Sequence, residues 1–168
     1  RVWHGCDCEW GRRISAVSYM GRLAIPWMPG NELAASSDGR ILCLGSHENW
    51  DCLVGFGLSH KAEMNAESDR REKVAIKKGK AFDRDAEGAR KLHSLQALSF
   101  DASGRFVIPG IMQAIGGLKD NVIFIGTGTR FCIWDPDTLL ATAADVPIDK
   151  RLVEYHLKEA GKKSGAKK

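Results

Sequence analysis

Gly21-Arg22-Leu23-Ala24-Ile25-Pro26 recurs 83 residues later as Gly104-Arg105-Phe106-Val107-Ile108-Pro109, and the match continues downstream in the same order. Ile41-Leu42-Cys43-Leu44-Gly45, a polar turn and Asp51-Cys52-Leu53-Val54 are echoed by Val122-Ile123-Phe124-Ile125-Gly126, a polar turn and Phe131-Cys132-Ile133-Trp134. A repeat of this length makes the chain a duplication of one unit. Each unit reads as a strand, a Gly-Arg turn, a second strand, a short helix begun at proline, and a hairpin.

Local chemistry supports those labels. Ile14 to Val17 and Leu95 to Phe100 are β-prone runs, each leading into a glycine able to take the positive φ of a tight turn. The apolar runs after each arginine stop at Pro26 and Pro109, which suit the first turn of a helix and cannot continue a central strand. Between the units, Ser59 to Lys78 is polar and charge-rich, and Lys77-Lys78-Gly79 is a helix stop signal. A second helix is expected from Asp83 or Asp85 to about Leu92, and a last one over Ile148 to Ala160, with a disordered tail from Gly161. The resulting division is an N-terminal extension over 1–12, repeats over 13–57 and 94–145, a helical linker over 58–93, and a C-terminal helix with basic tail over 146–168. The class is α+β, mainly β with short helices.

The net charge is +4, but seven basic and two acidic residues between Lys150 and Lys168 account for more than all of it. Any affinity of the remaining body for nucleic acid must therefore rest on a few placed cations. Hydrophobic residues make up 43% of the chain, and no apolar run reaches the roughly 18 residues a membrane helix needs. Nothing near Arg1 has the apolar core of a signal peptide, so a cytoplasmic location is expected. Five cysteines, an odd number, point to reduced thiols. Cys43, Cys52 and Cys132 fall in apolar strand runs and read as core residues.

Phe100-Asp101-Ala102-Ser103-Gly104-Arg105-Phe106-Val107-Ile108-Pro109, with Asn121 to Asp135, resembles the second repeat of the MraZ family. Ile14 to Pro26 resembles its first, and the resemblance covers roughly residues 13 to 145. It implies a swapped-hairpin fold similar to AbrB, with two copies in one chain closing a β-barrel. It also implies a ring-like homo-oligomer and a nucleoid-associated regulator that binds direct repeats in the promoter of the division and cell-wall gene cluster. The family motif is Asp-x-x-Gly-Arg, its arginine facing DNA. Asp101, Gly104 and Arg105 match it, whereas the first copy keeps Gly21 and Arg22 but has Ser18 in place of the aspartate. The implied DNA-binding residues are Arg22, Arg105, Gly21, Gly104, Asp101 and Ser18.

Arginine suits that role because its planar fork can bond O6 and N7 of guanine together or clamp a phosphate. One Gly-Arg alone more often marks only a turn bearing a solvated charge. Its return at the same place in a repeat argues for a shared task. Other motifs have blander readings. His4-x-Cys6-x-Cys8 offers zinc-type ligands, but at the wrong spacing and without a second cysteine pair, so no metal is expected. Gly126-Thr127-Gly128-Thr129 resembles a phosphate-cradling loop, but it lacks Gly-Lys-Ser/Thr, and a strand follows where a helix is needed. No nucleophile, base and orienting carboxylate fall together, so neither an enzyme nor a cofactor is expected. The competing reading is a protein-interaction module such as an AbrB-like antitoxin. It is disfavoured by the duplication, since antitoxins of that kind resemble one repeat with a tail.

Overall fold

The structure is a computed structural model that describes residues 13–16, 22–24, 39–127, 130–142, 146 and 148–165. The described residues form β1 (Arg13–Ala16), β2 (Arg22–Ala24), β3 (Ile41–Ser46), β4 (Leu53–Gly57), α1 (Leu58–Lys77), α2 (Arg84–Leu92), β5 (Gln96–Ser99), β6 (Arg105–Val107), α3 (Gly110–Ile115), β7 (Asn121–Gly126), β8 (Phe131–Trp134), α4 (Pro136–Thr142) and α5 (Lys150–Gly165). The fold is α+β. Its expected first-half helix at Pro26, together with Ser18, Gly21 and the segment 1–12, lies outside the described residues.

Sequence signals explain where the helices begin and end. Asp83 accepts a hydrogen bond from the Ala86 N–H at 2.9 Å and caps α2. At the end of α1, Lys80 N–H reaches Ala75 O and Gly79 N–H reaches Ile76 O, with Gly79 at φ 63°. That pair of bonds satisfies carbonyls the helix would leave orphaned, and it needs a residue at ease in the left-handed region. Pro109 caps α3, as the proline punctuation implies. Sequence reading misses α4 altogether. Its signal was Asp135-Pro136: the aspartate accepts from Thr138 N–H at 3.1 Å, and the proline occupies the first helical position, where no donor is needed. Helix α5 also continues through Gly161 to Gly165, beyond the expected end at Ala160. Lys162 and Lys163 are good helix formers, and one interior glycine costs only about 1 kcal/mol.

Six strands form an antiparallel sheet in the order β1-β7-β8-β4-β3-β5, and β2 pairs with β6 in a separate two-stranded ribbon. The order is symmetric under exchange of the two halves. Each half's first strand leaves its own hairpin and joins the other's, with β1 on β7 and β5 on β3. The hairpins meet along β4–β8, where Val54 faces Cys132. The ribbon is symmetric too, because Leu23 faces its own repeat partner Phe106.

This pairing corrects the sequence alignment of the hairpins. Ladder equivalences place Leu53 with Phe131 and Val54 with Cys132, whereas the sequence echo sets Leu53 beside Ile133 and Cys52 beside Cys132. The reason is turn length. The first hairpin spends residues 47–52 between its strands and the second only 127–130, so the two-residue difference slides the register.

Strand alternation buries both faces of the sheet. Leu42, Leu44, Leu53, Phe124 and Ile133 point inward and pack with Leu23 and Phe106 of the ribbon and Met112 of α3. On the outer face Cys43, Val54 and Phe56 lie under α1, while Ile123, Cys132 and Trp134 lie under α4 and α5. Cys43 and Cys132 on their strands, and Cys52 in the turn just before β4, are buried and free, as their apolar setting predicts. Cys52 and Cys132 hydrogen-bond to each other, which together with burial pushes the Cys52 thiol up. No helix among the described residues is long and apolar enough to cross a membrane.

Candidate functional site

The second Gly-Arg loop joins β5 to β6 and is held by one side chain. Asp101 Oδ1 accepts from the Ser103 N–H and from the Arg105 N–H, both at 2.8 Å. The backbone closes the same turn: Asp101 N–H donates to Arg105 O at 2.8 Å, and Gly104 N–H donates to Asp101 O at 3.0 Å. Gly104 is buried and sits at φ 72°, a conformation that costs an L-residue free energy and glycine almost none. The aspartate thus braces the arginine through its backbone amide, and charge attraction to the guanidinium is secondary.

Those bonds set the loop's electrostatics. The Arg105 N–H, the Ser103 N–H and the positive charges of Arg105 and Arg40 hold the Asp101 carboxyl below the usual carboxylate range. Asp101 is therefore ionised at neutral pH, and it accepts two charge-assisted bonds.

Strand β6 then turns the arginine outward. Arg105 and Val107 are exposed, while Phe106 between them is buried at 3% exposure and anchors the strand in the core. The ribbon register sets Ala24 opposite Arg105 and Arg22 opposite Val107. Positions 22 and 105 are therefore diagonal neighbours on one face of the ribbon, roughly 7–8 Å apart. The two Gly-Arg motifs, distant in sequence, are brought together by their own strands. Of the expected site residues, Asp101, Gly104 and Arg105 form one loop, and Arg22 enters through its backbone pairing. Ser18 and Gly21 are beyond the described residues.

One nearby residue escapes sequence reading. Gly39-Arg40 is a further Gly-Arg step, and Arg40 O accepts from the Phe100 N–H at 3.1 Å, next to Asp101. Its signal was the dipeptide itself, immediately before a strand. The alternative motifs gain nothing here. Strand β8 pairs with β7 in a hairpin, so the segment after Gly126 leads into a strand and not into a helix. Among the described residues no cluster of three or more histidine, cysteine or carboxylate groups could hold a metal, and His4, Cys6 and Cys8 lie outside them.

No family model matches the chain. Known proteins do. A protein of Parvibaculum lavamentivorans named transcriptional regulator MraZ is 27% identical over 135 residues, covering 80% of each chain. One of Rickettsia bellii with the same name is 28% identical over 139 residues, covering 81% of this chain and 88% of its own. The chain is a relative of the MraZ proteins. A match of 135 residues cannot fit within either half, so the likeness reaches into both. A third MraZ relative, from Pseudomonas fluorescens, is 25% identical over 144 residues, 80% of this chain and 84% of its own.

Proposed function

We propose that the chain is a transcriptional regulator that binds DNA through its paired Gly-Arg loops, with Arg105 and Arg22 as the contacting residues. The observation that carries this reading is the loop geometry: an exposed arginine, fixed at its backbone by Asp101, on a ribbon that sets the second motif beside it. A preordered arginine loses little freedom on binding, so more of its contact energy appears as affinity. The relatives named transcriptional regulator MraZ support the same reading.

The finer parts of the proposal follow from the resemblance. The exchange of β1 and β5 between halves is what a swapped-hairpin barrel of two fused repeats requires. Gly21, Gly104, Asp101 and Ser18 shape the two loops. The targets are direct repeats in the promoter of the division and cell-wall gene cluster, and several copies of the chain assemble in a ring to span them in the nucleoid. Catalysis has no part in this function. The test is a titration of a duplex carrying those repeats with the wild-type chain and with Arg105→Ala. Binding by the first and its loss in the second is the expected result, and equal binding by both would overturn the assignment.

A further inference from the structure

Arg40 has φ 57°, and among the described residues it is the non-glycine residue in the left-handed region. Gly39 before it is at φ 84°. An arginine gains nothing locally from that conformation and is strained by it, so the chain holds a strained backbone where glycine would relax it. Strain of this kind directs attention to what the side chain does.

Its position answers that. The β3–β5 ladder ends with Ile41 facing Ser99, and the next step outward is the bond from Phe100 N–H to Arg40 O. Arg40 therefore flanks the start of the Asp101–Arg105 loop from the neighbouring strand, with its side chain exposed. Its charge, with that of Arg105, acts on the Asp101 carboxylate. Two positive charges thus act on one braced carboxylate at one end of the sheet.

The repeat supplies a contrast. Exchanging the halves carries the Ser99–Ile41 pair onto Ala16–Asn121 of the β1–β7 ladder. The residue before Asn121 is Asp120, so the place of Arg40 is taken in the other half by an exposed acid. The two loops therefore differ by a reversal of charge at this flank, besides the change from Asp101 to Ser18.

We infer that Arg40 is a third DNA contact, a phosphate-binding cation that flanks the second Gly-Arg loop, and that Asp120 leaves the first loop without its counterpart. This rests on the DNA-binding reading above. A cation set to the side of the loop meets the sugar-phosphate backbone, which adds affinity without sequence information.

The test is fluorescence anisotropy with the full chain at several salt concentrations. The probes are two labelled duplexes, the promoter upstream of the chain's own gene and a scrambled sequence of equal length. Arg40→Gly should raise Kd for both duplexes by the same factor and flatten the dependence of log K on log salt by about 0.9 for each phosphate no longer neutralised. Its melting temperature should not fall, because glycine accepts φ 57° more readily. Arg40→Lys should keep the wild-type salt slope, and Asp120→Arg should tighten binding and steepen that slope. Wild-type Kd and slope in Arg40→Gly would overturn the inference, as would a loss confined to the promoter duplex. Arg105→Ala in the same series separates the two readings. If it binds like wild type, the Gly-Arg assignment itself fails. If it loses binding while Arg40→Gly stays silent, only the part given to Arg40 fails.

Discussion

At the scale of single residues, one carboxylate fixes the loop. Asp101 holds its loop by accepting two backbone bonds, and those bonds lower its pKa. A group whose folded pKa is depressed stabilises the folded form above its unfolded value and loses that contribution as pH falls through the folded one. The loop is therefore fully braced at neutral pH and comes undone only in acid. Followed by NMR, the Ser103 and Arg105 amides should titrate together, with a midpoint below the ordinary carboxylate value. Asp101→Asn should abolish that titration while keeping an acceptor oxygen. Separate midpoints, or one at the ordinary value, would show that the bonds do not form in solution. This site was half legible in the sequence. The repeat exposes Gly104 and Arg105, and the motif exposes Asp101. Arg40 was hidden because its nearness to the loop depends on a strand pairing with about 60 residues between its partners, a separation no local signal reports.

At the scale of elements, the hairpin seam shows how a register is fixed. Gly55 faces Phe131 across β4–β8, and a Cβ added at Gly55 would stand 2.3 Å from the phenylalanine ring. The ring lies in the space a side chain would need, and it is itself buried against the inner core. Gly55→Ala should therefore cost about 1–3 kcal/mol through overpacking, read as a lower denaturation midpoint with unchanged m-value. Gly88→Ala, where the new methyl meets open space in α2, should instead be neutral or stabilising. A silent Gly55→Ala would contradict the register. The sequence hides this contact, because its apolar runs align the hairpins one way and the unequal turns displace one strand by two residues. Elements whose signals are local are legible in it: the Schellman stop at Gly79, the cap at Asp83 and the proline start of α3. Helix α4 is announced by Asp135-Pro136, but the apolar run before it reads as the end of a strand repeat.

At the scale of the whole molecule, the exchange of strands between halves is the feature that sequence alone implies only through resemblance. Both motifs reach one ribbon because β2 and β6 pair around Leu23 and Phe106, so the duplication is what assembles the site. Strand β6 and the helix that follows it also carry unburied apolar residues: Val107 is 49% exposed, and Ile111 and Ile115 on α3 are 59% and 44% exposed. Spaced four apart, the two isoleucines share a helix face. A second copy of the chain is the expected cover, in keeping with a ring. Ile111→Lys with Ile115→Lys should leave the fold intact and reduce the mass seen by light scattering to that of one chain. An unchanged assembly would place the interface elsewhere.

In the proposed function both Gly-Arg loops bind DNA, and the two are unequal. The most direct test is one titration series at a single fixed salt concentration, using a duplex that carries the promoter repeats, with wild type, Arg105→Ala, Arg22→Ala and Ser18→Asp. A good bidentate base contact is worth about 1–3 kcal/mol, so Arg105→Ala should cost at least that much when several chains bind together. Arg22→Ala should cost less, because a serine hydroxyl is a weaker acceptor than the Asp101 carboxylate, and Ser18→Asp should tighten binding. Wild-type affinity in both arginine variants would contradict the account outright, and equal losses in the two would contradict the inequality of the loops.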